Sequence, residues 1–164
     1  MRQLLLLTMV FGFYSAMAQV TNRAYGLMLR TLYKGTVPTV SVADLHKNPK
    51  VILLDTRARR EFEVSHLPGA QWVGFDEFDL KRVAAVPRDS PIVVYCSVGY
   101  RSERIGEKLL AAGFTHVRNL YGSIFEWVNQ GYPLVDSAGK PTNRIHAYNR
   151  AWGVWVDKGE KVYD

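Results

Sequence analysis

The chain has 164 residues with 48% hydrophobic content, enough for one domain with a proper core and no metal or disulfide staple. A formal charge of +6 favours anionic partners. The basic residues are scattered and no nucleic-acid motif accompanies them, so the balance points to small anions or acidic surfaces, with no nucleic acid. The single cysteine, Cys96, excludes an internal disulfide and weakens any dithiol redox role.

Residues 1–18 read as a secretory signal: Arg2 supplies a positive start, Leu4 to Tyr14 is apolar, and Ala16-Met17-Ala18 is a small-x-small cleavage pattern. The apolar run is shorter than the roughly 20 residues of a permanent span, so cleavage after Ala18 is preferred over a retained anchor. Export to the periplasm or envelope of a bacterium is the expectation. There the lone thiol must be shielded by its pocket or kept reduced by another protein.

Residues 19–38 hold a helix and linker. From Val20 to Tyr33 the spacing predicts an amphipathic helix with Ala24, Leu27, Met28 and Leu32 on one face, packed on the domain or laid on a membrane surface. Val40 to Val42 is a short strand, with Ser41 or Asp44 capping a brief helix after it. Val51 to Asp55 is continuously apolar, the pattern of a parallel strand buried on both faces. A charged helix from Arg57 to Val64, the turn His66-Leu67-Pro68-Gly69 and a strand Ala70 to Val73 follow. Phe75 to Val86 reads as helical. Ile92 to Tyr95 is a second continuous apolar strand, ending in Cys96. A helix from Ser102 to Ala112 turns Ile105, Leu109 and Leu110 inward and closes at Gly113. Thr115 to Leu120 is a strand and Ile124 to Asn129 a helix. The alternation is that of an α/β fold, with ligands bound beyond the carboxyl ends of parallel strands, where Cys96 lies. Residues 136–164 form an aromatic-rich C-terminal extension with Tyr148, Trp152, Trp155 and Tyr163, read as packing back on the domain, with a partner-binding role as the alternative.

A thiol at a strand end, facing a helix mouth and beside Arg101, sits where backbone N–H groups and positive charge favour the thiolate. A buried cysteine is more often a small hydrophobe, but the Gly and Arg that follow favour a nucleophile. Asp55, Arg57 and Glu61 cluster at a strand-to-helix junction, where such groups commonly hold loop geometry. His66 beside its Pro-Gly turn is read as satisfying backbone groups rather than as a base for Cys96. No pair among the four histidines shows metal-ligand spacing, so no metal and no cofactor is expected.

Several stretches together resemble the rhodanese-like sulfurtransferase family: Leu54-Asp55-Thr56-Arg57, Glu61-Phe62 and His66 to Ala70, then Tyr95 to Ser102 as the active-site loop, then Tyr121-Gly122-Ser123 with Trp127 and Gly131 to Leu134. The likeness spans residues 39–135. It implies a central parallel five-stranded sheet with helices on both faces. It further implies a single-domain enzyme whose Cys96 takes sulfane sulfur from a thiosulfate-like donor as a persulfide and passes it to cyanide or a thiol, including a protein thiol. Cys96 and Arg101 are then the catalytic residues. Ser97, Val98, Gly99 and Tyr100 curl around the sulfur and contact substrate; of the junction cluster, Arg57 is read from its position as a further substrate contact, with a loop-holding salt bridge as its alternative, while Asp55, Glu61 and His66 support the site. Ser123 replaces the second of two glycines usual in the family, a change that a helix-capping serine makes tolerable. Four residues, Ser97 to Tyr100, separate Cys96 from Arg101. Related phosphatases and arsenate reductases have one more, room for a tetrahedral oxyanion, so that reading ranks below sulfur transfer. A non-catalytic binding module on the same fold is the other alternative.

Overall fold

The computed structural model describes residues 20–164. The signal reading for residues 1–18 lies outside them. Five strands, β1 (Thr39–Val40), β2 (Ile52–Asp55), β3 (Gln71–Trp72), β4 (Pro91–Tyr95) and β5 (His116–Leu120), form one parallel sheet in the order β1-β5-β4-β2-β3. The continuous apolar runs explain its centre. In β4, Ile92 and Val94 face one layer while Val93 and Tyr95 face the other, and all four are buried. Period-two alternation therefore feeds two cores, one on each face of the sheet.

One core holds Leu54, Val94, Val117 and the inward stripe Ile105 and Leu109 of α4 (Tyr100–Ala111), with Leu110 packed at its edge. The other gathers α1 (Arg23–Leu32), α2 (Val42–Lys47) and α5 (Ser123–Asn129), together with part of the C-terminal extension. A short helix, α3 (Arg59–Val64), follows β2. Helices thus cover both faces of the sheet.

Two expectations fail for local reasons. The segment from Phe75 to Val86 makes only a 3-10 turn, Leu80–Val83. The Asp79 carboxylate accepts the Lys81 N–H, a local bond that competes with helix propagation, while Phe75, Phe78 and Val83 each reach the core without a continuous helix. In α1 the helix starts after Asn22, whose side chain accepts the N–H groups of Ala24 and Tyr25. Its buried residues are Tyr25 and Leu29, whereas Leu27 is exposed. Tyr25 and Leu29, with Met28 and Leu32, make a second stripe of helical spacing, and the larger Tyr25 decides which stripe is buried.

β6 (Leu134–Val135), just before the extension, pairs antiparallel with its β7 (Pro141–Thr142); the extension then builds β8 (Arg144–His146), α6 (Arg150–Gly153) and β9 (Glu160–Val162), with β8 and β9 parallel. β8 packs on α3, and Trp155 stacks on Tyr25 with ring centroids 5.5 Å apart. Both segments outside the sheet domain therefore touch each other as well as the domain. Among the described residues no helix is long and apolar enough to cross a membrane.

Candidate active site

β4 delivers Cys96 to the carboxyl end of the sheet, where it is 1% exposed. The geometry of the following loop is set by where its carbonyl groups go. The Cys96 oxygen accepts the Ile124 N–H at 3.2 Å and the Ser97 oxygen accepts the Phe125 N–H at 3.2 Å, both from the first turn of α5. The Val98 oxygen accepts the Tyr33 hydroxyl at 2.6 Å, and the Gly99 oxygen accepts the Asn119 side-chain amide at 2.9 Å. Four successive carbonyls point outward to fixed donors. The Gly99 N–H is left to face the sulfur, with its nitrogen 3.0 Å from Cys96 Sγ, and the Ser102 N–H in the first turn of α4 adds to it.

Gly99 has φ +112, and a Cβ on it would collide with the Tyr33 hydroxyl. Both the left-handed backbone and the close approach require glycine there. Gly99 also caps α4, which begins at Tyr100, two residues before the expected Ser102. The dipole of this helix consequently starts at the loop itself.

Charge is organised by Glu61. Its carboxylate takes two bonds from Arg101, Nη1 at 2.7 Å and Nη2 at 2.8 Å, and one from the Ser97 hydroxyl at 3.1 Å. Arg101 Nη2 also donates to Ser97 Oγ at 3.0 Å. Burial alone raises the Glu61 pKa, but Arg101 and then Arg57 outweigh it and bring the group down to about 2. For Cys96, burial likewise pushes the thiol up. The Arg101 charge, the N–H groups of Ser102 and Gly99 and the Ser102 hydroxyl together overcome it, so the thiol is held below its ordinary value. These surroundings favour the thiolate of a buried sulfur more than water alone would.

Arg57 does not join this group. Its side chain is completely buried, Nη2 lying 2.6 Å from Asp55 Oδ2 and 2.6 Å from the Ser65 carbonyl, and it does not line the cleft over Cys96. The expected substrate contact by Arg57 is therefore corrected: the Asp55 carboxylate and the Ser65 carbonyl hold it inside the protein. His66 is turned away as well. Its Nδ1 pairs with the Phe62 carbonyl at 2.9 Å, and its ring stacks on Phe62 at 3.8 Å.

Ser123 differs from the capping role expected of it. The cap is Gly122, with φ +76, while Ser123 is the first helical residue, with φ +52. Its hydroxyl accepts the Cys96 N–H at 3.1 Å and donates to the Leu120 carbonyl at 3.3 Å. A hydrogen bond to the nucleophile's own backbone offsets the cost of the left-handed conformation.

The cleft above Cys96 has a volume of ≈ 610 Å³. Val98, Tyr100 and Arg101 line it from the loop, with Glu61 from α3. Leu32 of α1, Phe75, Asp76 and Glu77 from the segment after β3, and Tyr148 and Trp152 of the extension line it as well. Sequence reasoning missed Tyr33, Asn119, Tyr148 and Trp152. Asn119 alone carried a signal, as an uncharged polar residue two positions after the buried Val117 and so on the same inward face of its strand, where burial demands a partner. Among the described residues no group of three or more His, Cys, Asp or Glu side chains is placed to hold a metal ion.

Residues 39–130, more than half of the chain, match the family described as the Rhodanese-like domain. A protein named "Sulfurtransferase" from Allochromatium vinosum is 32% identical over 89 residues, covering 54% of this chain and 82% of that protein. "Adenylyltransferase and sulfurtransferase UBA4" from Meyerozyma guilliermondii is 33% identical over 107 residues, covering 58% of this chain but 25% of that protein, so the chain spans about a quarter of that longer relative. Among solved structures, a rhodanese-related protein from Thermoplasma volcanium superposes with a TM-score of 0.54 at 27% identity, over 60% of this chain and 97% of that one. The strand order, the loop wrapped around Cys96 and the match over residues 39–130 together place this chain in the rhodanese-like domain family.

Proposed function

We propose that this chain is a sulfurtransferase that carries sulfane sulfur on Cys96. The Cys96 thiolate attacks the outer sulfur of a thiosulfate-like donor, a sulfur–sulfur bond forms at Cys96, and sulfite departs with the electrons of the bond that breaks. The persulfide then gives its terminal sulfur to cyanide or to a thiolate acceptor and regenerates the Cys96 thiolate. The observation that carries this reading is the outward turn of four successive carbonyls, which leaves the Gly99 N–H directed at Sγ, joined by the Ser102 N–H. Such a shell stabilises charge on sulfur throughout the cycle. Arg101 adds a full positive charge, and its fork is held in register by Glu61.

The site uses no metal or cofactor in this scheme. Its partners are a small anionic donor and a thiophilic acceptor. The loop, one residue shorter than that of related phosphatases, suits a single sulfur atom better than a tetrahedral oxyanion. The signal-like residues 1–18 support work outside the cytoplasm, which fractionation of cells expressing the full chain would test.

Incubation with thiosulfate followed by intact mass measurement tests the proposal. One added sulfur that disappears with cyanide, and that never appears in Cys96→Ser, is the expected result. Hydrolysis of an aryl phosphate without a sulfur adduct would favour the phosphatase reading instead, and inertness towards both would favour a binding module.

A further inference from the structure

The cleft is larger than its reacting atom needs. A volume of ≈ 610 Å³ lies within the roughly 300–1,000 Å³ typical of pockets for organic ligands, whereas a bare inorganic anion needs little beyond the loop. Its apolar side is made by Leu32, Phe75 and Val98 together with Tyr148 and Trp152 of the extension. Tyr148 and Trp152 lie outside residues 39–130, the segment that matches the family, whereas Phe75 and Val98 lie within it.

Tyr148 occupies its place against two ordinary preferences. It is a large aromatic side chain left 43% exposed, and its φ is +64, a conformation that glycine or asparagine adopts at lower cost. Its backbone is fixed from both sides: its own N–H donates to His146 Nδ1 at 3.2 Å, and the Ala147 N–H bonds the Val162 carbonyl at 2.9 Å. The ring thereby stands against the Arg101 guanidinium, with Cζ 5.3 Å from its centroid. Trp152 is set one turn further on by the Asn149 side chain, which accepts its N–H at 3.0 Å.

We infer that Tyr148 and Trp152 are specificity-determining residues that receive a flat apolar group on the leaving portion of the sulfur donor, the part that departs when the terminal sulfur passes to Cys96. The inference rests on the sulfur-transfer reading and gives its substrate an organic body. With an aryl thiosulfonate as donor, the Cys96 thiolate attacks the terminal sulfur, forms the persulfide bond, and releases the aryl sulfinate with the electron pair of the broken bond. Anionic charge is conserved and no further oxidant or reductant enters.

The test compares kcat/KM for persulfide formation with benzenethiosulfonate and with methanethiosulfonate, each normalised to its rate with free cysteine. The protein should prefer the aryl donor by at least about tenfold, since one added methylene in an apolar pocket is already worth roughly that much. Tyr148→Ala and Trp152→Ala should each lower the ratio several-fold, while Tyr148→Phe, which keeps the ring, should retain it. Val154→Ser, an exposed site in the same extension but away from the cleft, should also retain it. Since Tyr148 is partly exposed, its alanine variant tests the ratio even if Trp152→Ala does not fold. Loading from thiosulfate with an aryl-to-methyl ratio near one, or a ratio unmoved by both alanine variants, would overturn the inference alone. Failure of all three donors to load Cys96 would overturn the sulfur-transfer reading and the inference with it.

Discussion

Arg57 and Arg101 are each gripped by a carboxylate, Asp55 and Glu61 respectively, yet their surroundings divide them. The Asp55–Arg57 side chains are both 0% exposed, while Arg101 keeps 19% of its side chain open to the cleft against a fully buried Glu61. In the first pair the guanidinium bonds only inside the protein, to Asp55 and the Ser65 carbonyl, and its charge reaches the site only through Glu61. In the second, Glu61 takes one edge of the guanidinium and leaves the rest of its field to act on Cys96. Similar ion pairs thus serve as a structural lock in one place and as a mount for an active-site charge in the other.

The largest difference should come from breaking the sealed pair. Arg57→Met leaves Asp55 buried without its cation and is expected to cost about 3–5 kcal/mol of stability in denaturant unfolding. The fraction that remains folded should still form the persulfide, because Arg57 does not line the cleft. Glu61→Gln should cost less, about 2–3 kcal/mol, but should also slow sulfur loading by loosening Arg101. It should also change the acid limb. The Glu61 pKa is lowered in the folded state from 4.5 to about 2, so its stabilisation is complete above the unfolded value and fades as pH falls through that window. Urea midpoints measured between those pH values should lose part of their slope in Glu61→Gln.

Arg101→Lys retains a charge and loses the fork that meets Glu61 with two bonds. A drop of about tenfold in the rate of persulfide formation is expected, with little change in melting temperature. Ser123→Gly should have the smallest effect. It relieves the cost of a left-handed serine and removes the bond to the Cys96 N–H, two terms of about 1 kcal/mol that oppose each other.

The contrast between the two arginines also marks how far the sequence reads. The apolar runs of β2 and β4 and the spacing from Cys96 to Arg101 are local patterns, and they fold as the residues suggest. Arg57 is sealed by near neighbours, Asp55 and the Ser65 carbonyl, whose burial no periodicity announces. Arg101 is placed by Glu61, 40 positions away, and by the Tyr148 ring, contacts made by residues far along the chain. Tyr33 illustrates the same limit, since its bond to the Val98 carbonyl joins residues 65 positions apart and leaves no periodic trace. The misread face of α1 is a different case, because two stripes had the right spacing and only tertiary packing chose between them.

The central claim is that the loop and Arg101 hold the Cys96 sulfur as an anion, and the pH dependence of Cys96 alkylation by iodoacetamide tests it most directly. The thiolate is the reacting form, so the rate should rise with pH and level off below the titration range of a free cysteine, with the midpoint moving upward in Arg101→Ala. A midpoint at or above that of free cysteine, or one unmoved by Arg101→Ala, would contradict the account.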